Sequence, residues 1–145
     1  LFGLETITFR YFNVYGERMN LEGAYKLVLG IFAKQMLDGK PLTITNDGNQ
    51  RRDFTYVKDV VEANWLAATH KDQLKGNSFN IGNGNNYSVN ELADMLGGEK
   101  TYGEKRLEPF ETLADNSKAK YILGWTPTGH LPTWLEQYKK DLGLA

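Results

Sequence analysis

The chain has 145 residues, 41% of them hydrophobic and 12% aromatic, which suits one folded domain with a real core and excludes a disordered tail. Its 17 basic and 18 acidic residues leave a formal charge of -1, a balance that points away from nucleic acid and from a polybasic membrane anchor. No cysteine is present, so disulfides and thiolate metal sites are excluded and a reducing, cytoplasmic setting is expected.

The opening LFGLETITFRYF has no basic region leading into an apolar core, so it does not read as a signal peptide, and no later apolar run reaches the roughly 20 residues of a membrane span. It also lacks an initiator methionine, and the chain is expected to start inside a longer protein. β-Branched and aromatic residues over 4–12 predict a strand, with Ile7, Phe9 and Tyr11 on one face. Residues 13–23 are polar, carry Gly16 and Gly23, and read as a loop. The apolar stripe Val28, Ile31, Phe32, Ala33 and Met36 predicts a helix over 24–37, ended by Gly39 and Pro41.

Residues 42–45 and 52–57 read as short strands on either side of the turn Asn46-Asp-Gly48. Asp59 is the expected N-cap of a helix over 60–70, and 78–82 is a short buried strand. Ser88-Val-Asn-Glu91 matches a capping box ahead of a helix with Leu92, Ala93 and Leu96 inward. Leu113-Ala-Asp115 is a candidate strand end and 117–123 a short helix. Leu131, Trp134, Leu135, Tyr138 and Leu142 follow helical spacing at the end of the chain. Interleaved strands and helices predict an α/β or α+β layer fold.

Chemistry is sparse. The adjacent Arg51 and Arg52 either pair locally with Asp53 or present planar donors to a phosphate. Gly82-Asn-Gly84 does not extend to a dinucleotide fingerprint, because Tyr87 stands where a third glycine belongs, and a tight turn explains it. The sequon Asn86-Tyr-Ser88 is read as coincidence, His70 as a partner of helix-end carbonyls, and Trp65, Trp125 and Trp134 as core or near-core aromatics. His70 and His130 lack metal-ligand spacing, and no nucleophile–base pair or carboxylate dyad stands out, so no catalytic and no metal residue is assigned.

An ordered set of motifs goes further. Arg10-Tyr-Phe-Asn-Val-Tyr-Gly16, Gly39-Lys-Pro-Leu-Thr-Ile44, the Arg-Arg-Asp-Phe stretch at 51–54, Phe79-Asn-Ile-Gly82, Ser88-Val-Asn-Glu-Leu92, Leu113-Ala-Asp-Asn-Ser-Lys118 and Leu123-Gly-Trp125 together resemble the C-terminal half of the NAD-dependent epimerase/dehydratase family, the extended short-chain dehydrogenases acting on nucleotide sugars. The resemblance covers nearly the whole chain. It implies an α/β substrate-binding lobe carrying remnants of a Rossmann parallel sheet, with the NAD-binding portion mostly absent. It implies that Tyr11 and Phe12 lie on the cofactor side, that Asn13 and Arg52 contact a diphosphate, and that Thr43 and Thr45, with Val28 and Phe32 nearby, line the nucleotide base. Arg106, beside Lys105, takes the place of a second family arginine, in a stretch one residue shorter than the family pattern. Gly30 stands where many relatives carry proline.

The family's glycine-rich fingerprint and its Tyr-x-x-x-Lys pair have no match here; Tyr25, for one, is followed four residues on by Leu29. The resemblance therefore implies a part of a UDP-sugar epimerase that binds a nucleotide sugar but is inert alone, with NAD used by the parent enzyme and none expected on this chain. A dehydratase or decarboxylase parent, a non-catalytic binding module, and a scaffold in which Arg52 only pairs with a carboxylate are the alternatives. Strands without partners predict an exposed sheet edge and self-association.

Overall fold

The computed structural model describes residues 3, 5–23, 25–70, 72 and 74–144. The elements are β1 (Thr8–Tyr11), β2 (Val14–Tyr15), α1 (Val28–Leu37), β3 (Leu42–Ile44), β4 (Arg51–Asp53), β5 (Thr55–Tyr56), α2 (Val57–Ala68), β6 (Ser78–Ile81), β7 (Asn86–Ser88), α3 (Val89–Leu96), β8 (Lys100–Tyr102), a π-helical turn (Ala119–Leu123) and α4 (Leu131–Asp141). The strands pair two by two: β1 with β6, β2 with β5 and β3 with β8 in parallel, β4 with β7 antiparallel. This is the α/β architecture expected, with short parallel pairs in place of one broad sheet.

Two cores lie side by side. The larger joins Leu29 and Phe32 of α1, Leu42 and Ile44 of β3, Leu92 and Leu96 of α3 and Leu135 of α4. The smaller gathers Phe79 and Ile81 of β6, Ala63 of α2, Ala119, Leu123 and Trp125. The stretch 51–59 runs between them.

Several boundaries differ from expectation for identifiable reasons. The first strand is trimmed to β1, and Leu4 lies outside the described residues. The expected loop 13–23 contains β2, which pairs with β5. Ala24 also lies outside the described residues, and α1 starts only at Val28, because Gly23 is left-handed (φ 96°) and Leu27 is extended (ψ 154°). Gly30 is buried in α1 against the loop before it. A Cβ there would sit 2.6 Å from the Asn20 carbonyl oxygen, which rationalises glycine at this position.

The turn at 46–48 forms, but the strands beside it do not pair with each other; β3 goes to β8 and β4 to β7. The expected strand 52–57 breaks at the buried Phe54 into β4 and β5. Asp59 is not an N-cap. It sits in the first turn of α2, whose N-cap is Tyr56, and its carboxylate accepts from Thr128 N (3.0 Å), Thr128 Oγ1 (2.7 Å) and Gly129 N (2.8 Å). Leu113-Ala-Asp115 is not a strand, because the Ala114 N–H goes to Asp53 and the Asp115 carbonyl accepts from Asn80. Trp65 is not a core residue; it lies on the outer face of α2, 64% exposed, whereas Trp125 is buried. His70 reaches the Ile122 carbonyl (2.9 Å) instead of its own helix end.

The capping box forms as the motif predicts: Glu91 N donates to Ser88 Oγ (3.1 Å) and Ser88 N to Glu91 Oε2 (2.6 Å), while Arg51 Nη1 lies 3.0 Å from the same carboxylate oxygen. The Ser88 backbone N–H, with Arg51 adding to it, holds the Glu91 carboxyl below its ordinary 4.5. A depressed carboxylate pKa contributes stability that is whole above 4.5 and lost as pH falls through the lower folded value. Because Glu91 is half exposed the effect is small. Urea titrations should show wild type losing about 0.5 kcal/mol more than Glu91→Gln over that acid window, with parallel curves at neutral pH.

Candidate functional site

Strand β4 aims its two arginines to different places. Arg51 is structural: Nε donates to Asn86 Oδ1 (2.8 Å), Nη2 to the Asn86 carbonyl (3.0 Å), and Nη1 pairs with Glu91. The Asn86 side chain is thereby buried, with its Nδ2 given to Glu111 Oε1 (2.6 Å), so the sequon's amide is engaged inside the fold. Neither arginine takes the Asp53 carboxylate, which is fully buried and accepts backbone N–H groups from Asn83 (2.8 Å), Gly84 (2.9 Å) and Ala114 (3.0 Å). Burial pushes the Asp53 carboxyl above its ordinary 3.8 against the pull of those three amides.

Arg52 instead lines a cavity of about 400 Å³, together with Asn13, Val28, Thr43, Thr45 and Arg106. Loop 12–13, α1, β3, β4 and the segment after β8 thus bring most of the expected substrate residues to one place. Phe32 is not brought there. It is wholly buried in the larger core, and Ile31, one position back and so about 100° round the helix, faces the cavity in its stead. Lys105 is not a lining residue, whereas Lys26 is.

The cavity has two characters. Lys26, Arg52 and Arg106 set three cations against one carboxylate, Glu108, while Leu27, Val28, Ile31, Val89 and Leu107 form an apolar wall. Glu108 is the center of its polar contacts. Its Oε2 takes Arg52 Nη2 at 2.6 Å, and its Oε1 accepts from Asn46 Nδ2 (2.9 Å), Thr45 Oγ1 (3.2 Å) and Gln50 Nε2 (3.4 Å). Arg52 Nη1 donates to the Arg51 carbonyl (2.7 Å), which fixes the guanidinium plane. Asn13 has a positive φ of 28° and gives its amide to the Asp53 carbonyl (2.7 Å). Thr43 is tied to α1 by Gln35, whose amide accepts from Thr43 N (3.1 Å) and donates to Thr43 Oγ1 (2.9 Å).

Glu108, Gln50, Lys26 and Ile31 were not identified as site residues from sequence. Glu108 and Gln50 carried a weak signal, each lying within a few residues of a motif arginine. Lys26, just before α1, and Ile31, on it, had none beyond their place in the chain.

Tyr11 and Phe12 lie elsewhere and diverge. The Tyr11 hydroxyl meets Asn64 Oδ1 (3.2 Å) at a second cavity of about 610 Å³, while Phe12 abuts Gly82. The Gly82-Asn-Gly84 turn does not fit a dinucleotide phosphate, because its amides at 83 and 84 are engaged by Asp53. Among the described residues no group of three or more acidic or histidine side chains is placed to hold a metal, and no helix is long and apolar enough to cross a membrane.

Against known proteins, the model of the NAD dependent epimerase/dehydratase family matches residues 1–82. A putative UDP-glucose 4-epimerase of Methanocaldococcus jannaschii is 41% identical over 134 residues, 88% of this chain and 42% of its own. UDP-glucuronic acid decarboxylase 6 of Arabidopsis thaliana is 34% identical over 98% of this chain and 42% of its own. The crystal structure of a UDP-glucose 4-epimerase with UDP-glucose from Thermotoga maritima superposes with a TM-score of 0.84 at 37% identity, covering 97% of this chain and 48% of that one. The chain thus spans less than half the length of these relatives.

Proposed function

Since the chain belongs to the NAD dependent epimerase/dehydratase family, we propose that it forms the nucleotide-sugar side of a UDP-sugar epimerase site. The observation that carries this reading is the meeting of three cations and an apolar wall in one cavity. Arg52, with Arg106 and Lys26, faces the diphosphate. A guanidinium fork suits phosphate oxygens, and three cations less one carboxylate suit a ligand of about two negative charges. Thr43 and Thr45 with the Val28 and Ile31 side chains take the base, and Asn13 stands at the diphosphate end.

In the parent reaction an enzyme-bound NAD oxidises a sugar carbon and returns the hydride to the other face. This chain's part is to bind and orient the nucleotide. The 145 residues contain no Tyr-x-x-x-Lys, so the chain alone is inert toward UDP-sugars, and the phosphates of NAD are held by residues other than these. The decarboxylase relative supports a second reading, in which the same nucleotide grip serves a decarboxylase or dehydratase. We place the protein in the cytoplasm.

Calorimetry with UDP-glucose, UDP and glucose tests the grip: heat from the first two and none from glucose is expected. Silence toward every nucleotide would favour the scaffold reading, in which the Arg52–Glu108 pair is only structural. Sustained epimerisation by the chain with added NAD would contradict inertness.

We further propose self-association through β1, which has β6 as its one strand partner among the described residues, together with Val61 and Trp65, which are exposed on α2. Sedimentation velocity should show the mean coefficient rising with protein concentration and the rise diminishing in Trp65→Glu. A concentration-independent monomer would refute it.

A further inference from the structure

The cavity already contains an anion, and it belongs to the protein. Glu108 Oε2 lies 2.6 Å from Arg52 Nη2, with both side chains largely out of water at 16% and 28% exposure. It is carried on residues 103–110, a segment without helix or strand whose Arg106, Leu107 and Glu108 line the cavity; it is held by the contacts of Glu108 itself, the Gly103 N–H on the Ile44 carbonyl (2.8 Å), the Asn46 N–H on the Glu104 carbonyl (3.5 Å), the Arg106 N–H on Asn46 Oδ1 (2.8 Å), and the Arg51 and Arg52 bonds to the Phe110 carbonyl.

We propose that Glu108 is an internal competitor for Arg52, and that it sets an affinity threshold which a diphosphate passes and a ligand carrying a single anionic group does not. The inference rests on the nucleotide reading above.

The two oxygens of Glu108 are used differently, and this makes the exchange feasible. Oε1 is held by Asn46, Thr45 and Gln50, whereas Oε2 is the oxygen on Arg52. Surrendering Arg52 therefore leaves the carboxylate anchored and still hydrogen-bonded, which avoids the penalty of an orphaned buried charge. A ligand with one anionic group only replaces one anion by another on the same fork, and gains little. A diphosphate offers a second phosphoryl group to Arg106 and Lys26, which line the same cavity, and that surplus drives the exchange. A built-in rival of this kind discriminates by raising the threshold for every anion.

The test uses pyrophosphate and inorganic phosphate as probes, titrated calorimetrically into wild type, Glu108→Gln and Glu108→Asp, with UDP as the reference ligand. Glu108→Gln should tighten pyrophosphate and phosphate alike, about 3- to 10-fold each, so that phosphate binding rises into the measurable range while the ratio between them holds. Glu108→Asp keeps the charge but shortens the reach to Arg52, and it should tighten pyrophosphate as well. Thermal melts establish that both variants are folded.

Tightening in Glu108→Gln alone would mean a diffuse charge effect and would overturn the proposal. So would unchanged or weaker pyrophosphate binding in both variants of a protein that binds UDP normally; in that case the nucleotide reading stands without it. A wild type that ignores UDP removes both.

Discussion

Arg52→Ala is expected to weaken UDP and UDP-glucose binding about 10- to 100-fold, corresponding to the roughly 1.5–3 kcal/mol of a hydrogen bond to a charged group. The fold should survive. Glu108 retains the three donors on its Oε1, so truncating Arg52 does not strand a buried carboxylate. Arg52→Lys should recover only part of the loss, because an ammonium keeps the charge but not the planar fork that the Arg51 carbonyl orients. Arg51→Ala gives the contrasting pattern. Its partners are Asn86 and Glu91, so stability should fall and nucleotide affinity should follow only through it. Calorimetric titration and urea unfolding on the same preparations separate the two. Equal nucleotide affinity in wild type and Arg52→Ala would refute the diphosphate role of Arg52.

Asp53→Ala is the largest stability effect expected, about 3–5 kcal/mol. The carboxylate is wholly buried, and its loss leaves three backbone N–H groups from two separate loops without an acceptor. Each such donor costs about 1–3 kcal/mol where water does not replace the bond, and two of the three sit in only partly buried contacts. Asp53→Asn should cost less, since its one remaining oxygen still accepts while its amide opposes a donor. Asp47→Ala is the control, because that exposed carboxylate accepts from the backbone and side-chain N–H groups of Asn49 within its own turn. Urea midpoints measure all three, and a loss below about 1 kcal/mol in Asp53→Ala would refute the clamp. Nucleotide binding should also suffer, since the Asp53 carbonyl holds the Asn13 amide.

The parts legible in the sequence are those decided locally. The capping box at Ser88, the C-terminal end of α1 and the apolar spacing of α4 follow from residue types a few positions apart. The cavity's strand and loop residues were reached through family motifs, and periodicity alone would not have assembled them. What the sequence hid depends on distant partners. β2, β7 and β8 are two or three residues long and exist only through pairing with strands far along the chain. Asp59 stands where a helix cap could be, yet its carboxylate serves a loop some seventy residues later. Phe32 and Ile31 share an apolar stripe, and the choice of which turns toward the cavity is made by packing. Glu108 is one acidic residue among 18 until the fold sets it against Arg52.

Residues 51–59 fasten loops from both halves of the molecule: Asp53 ties down the turn after β6, Asp59 the approach to α4, and the Asp59 carbonyl accepts the Trp125 indole. Two modest greasy centers that share this ribbon are coupled in part by its stitches. Cut the stitches, and heating should broaden the single calorimetric transition toward two, so that cooperativity here draws on these nine residues as well as on the two interiors.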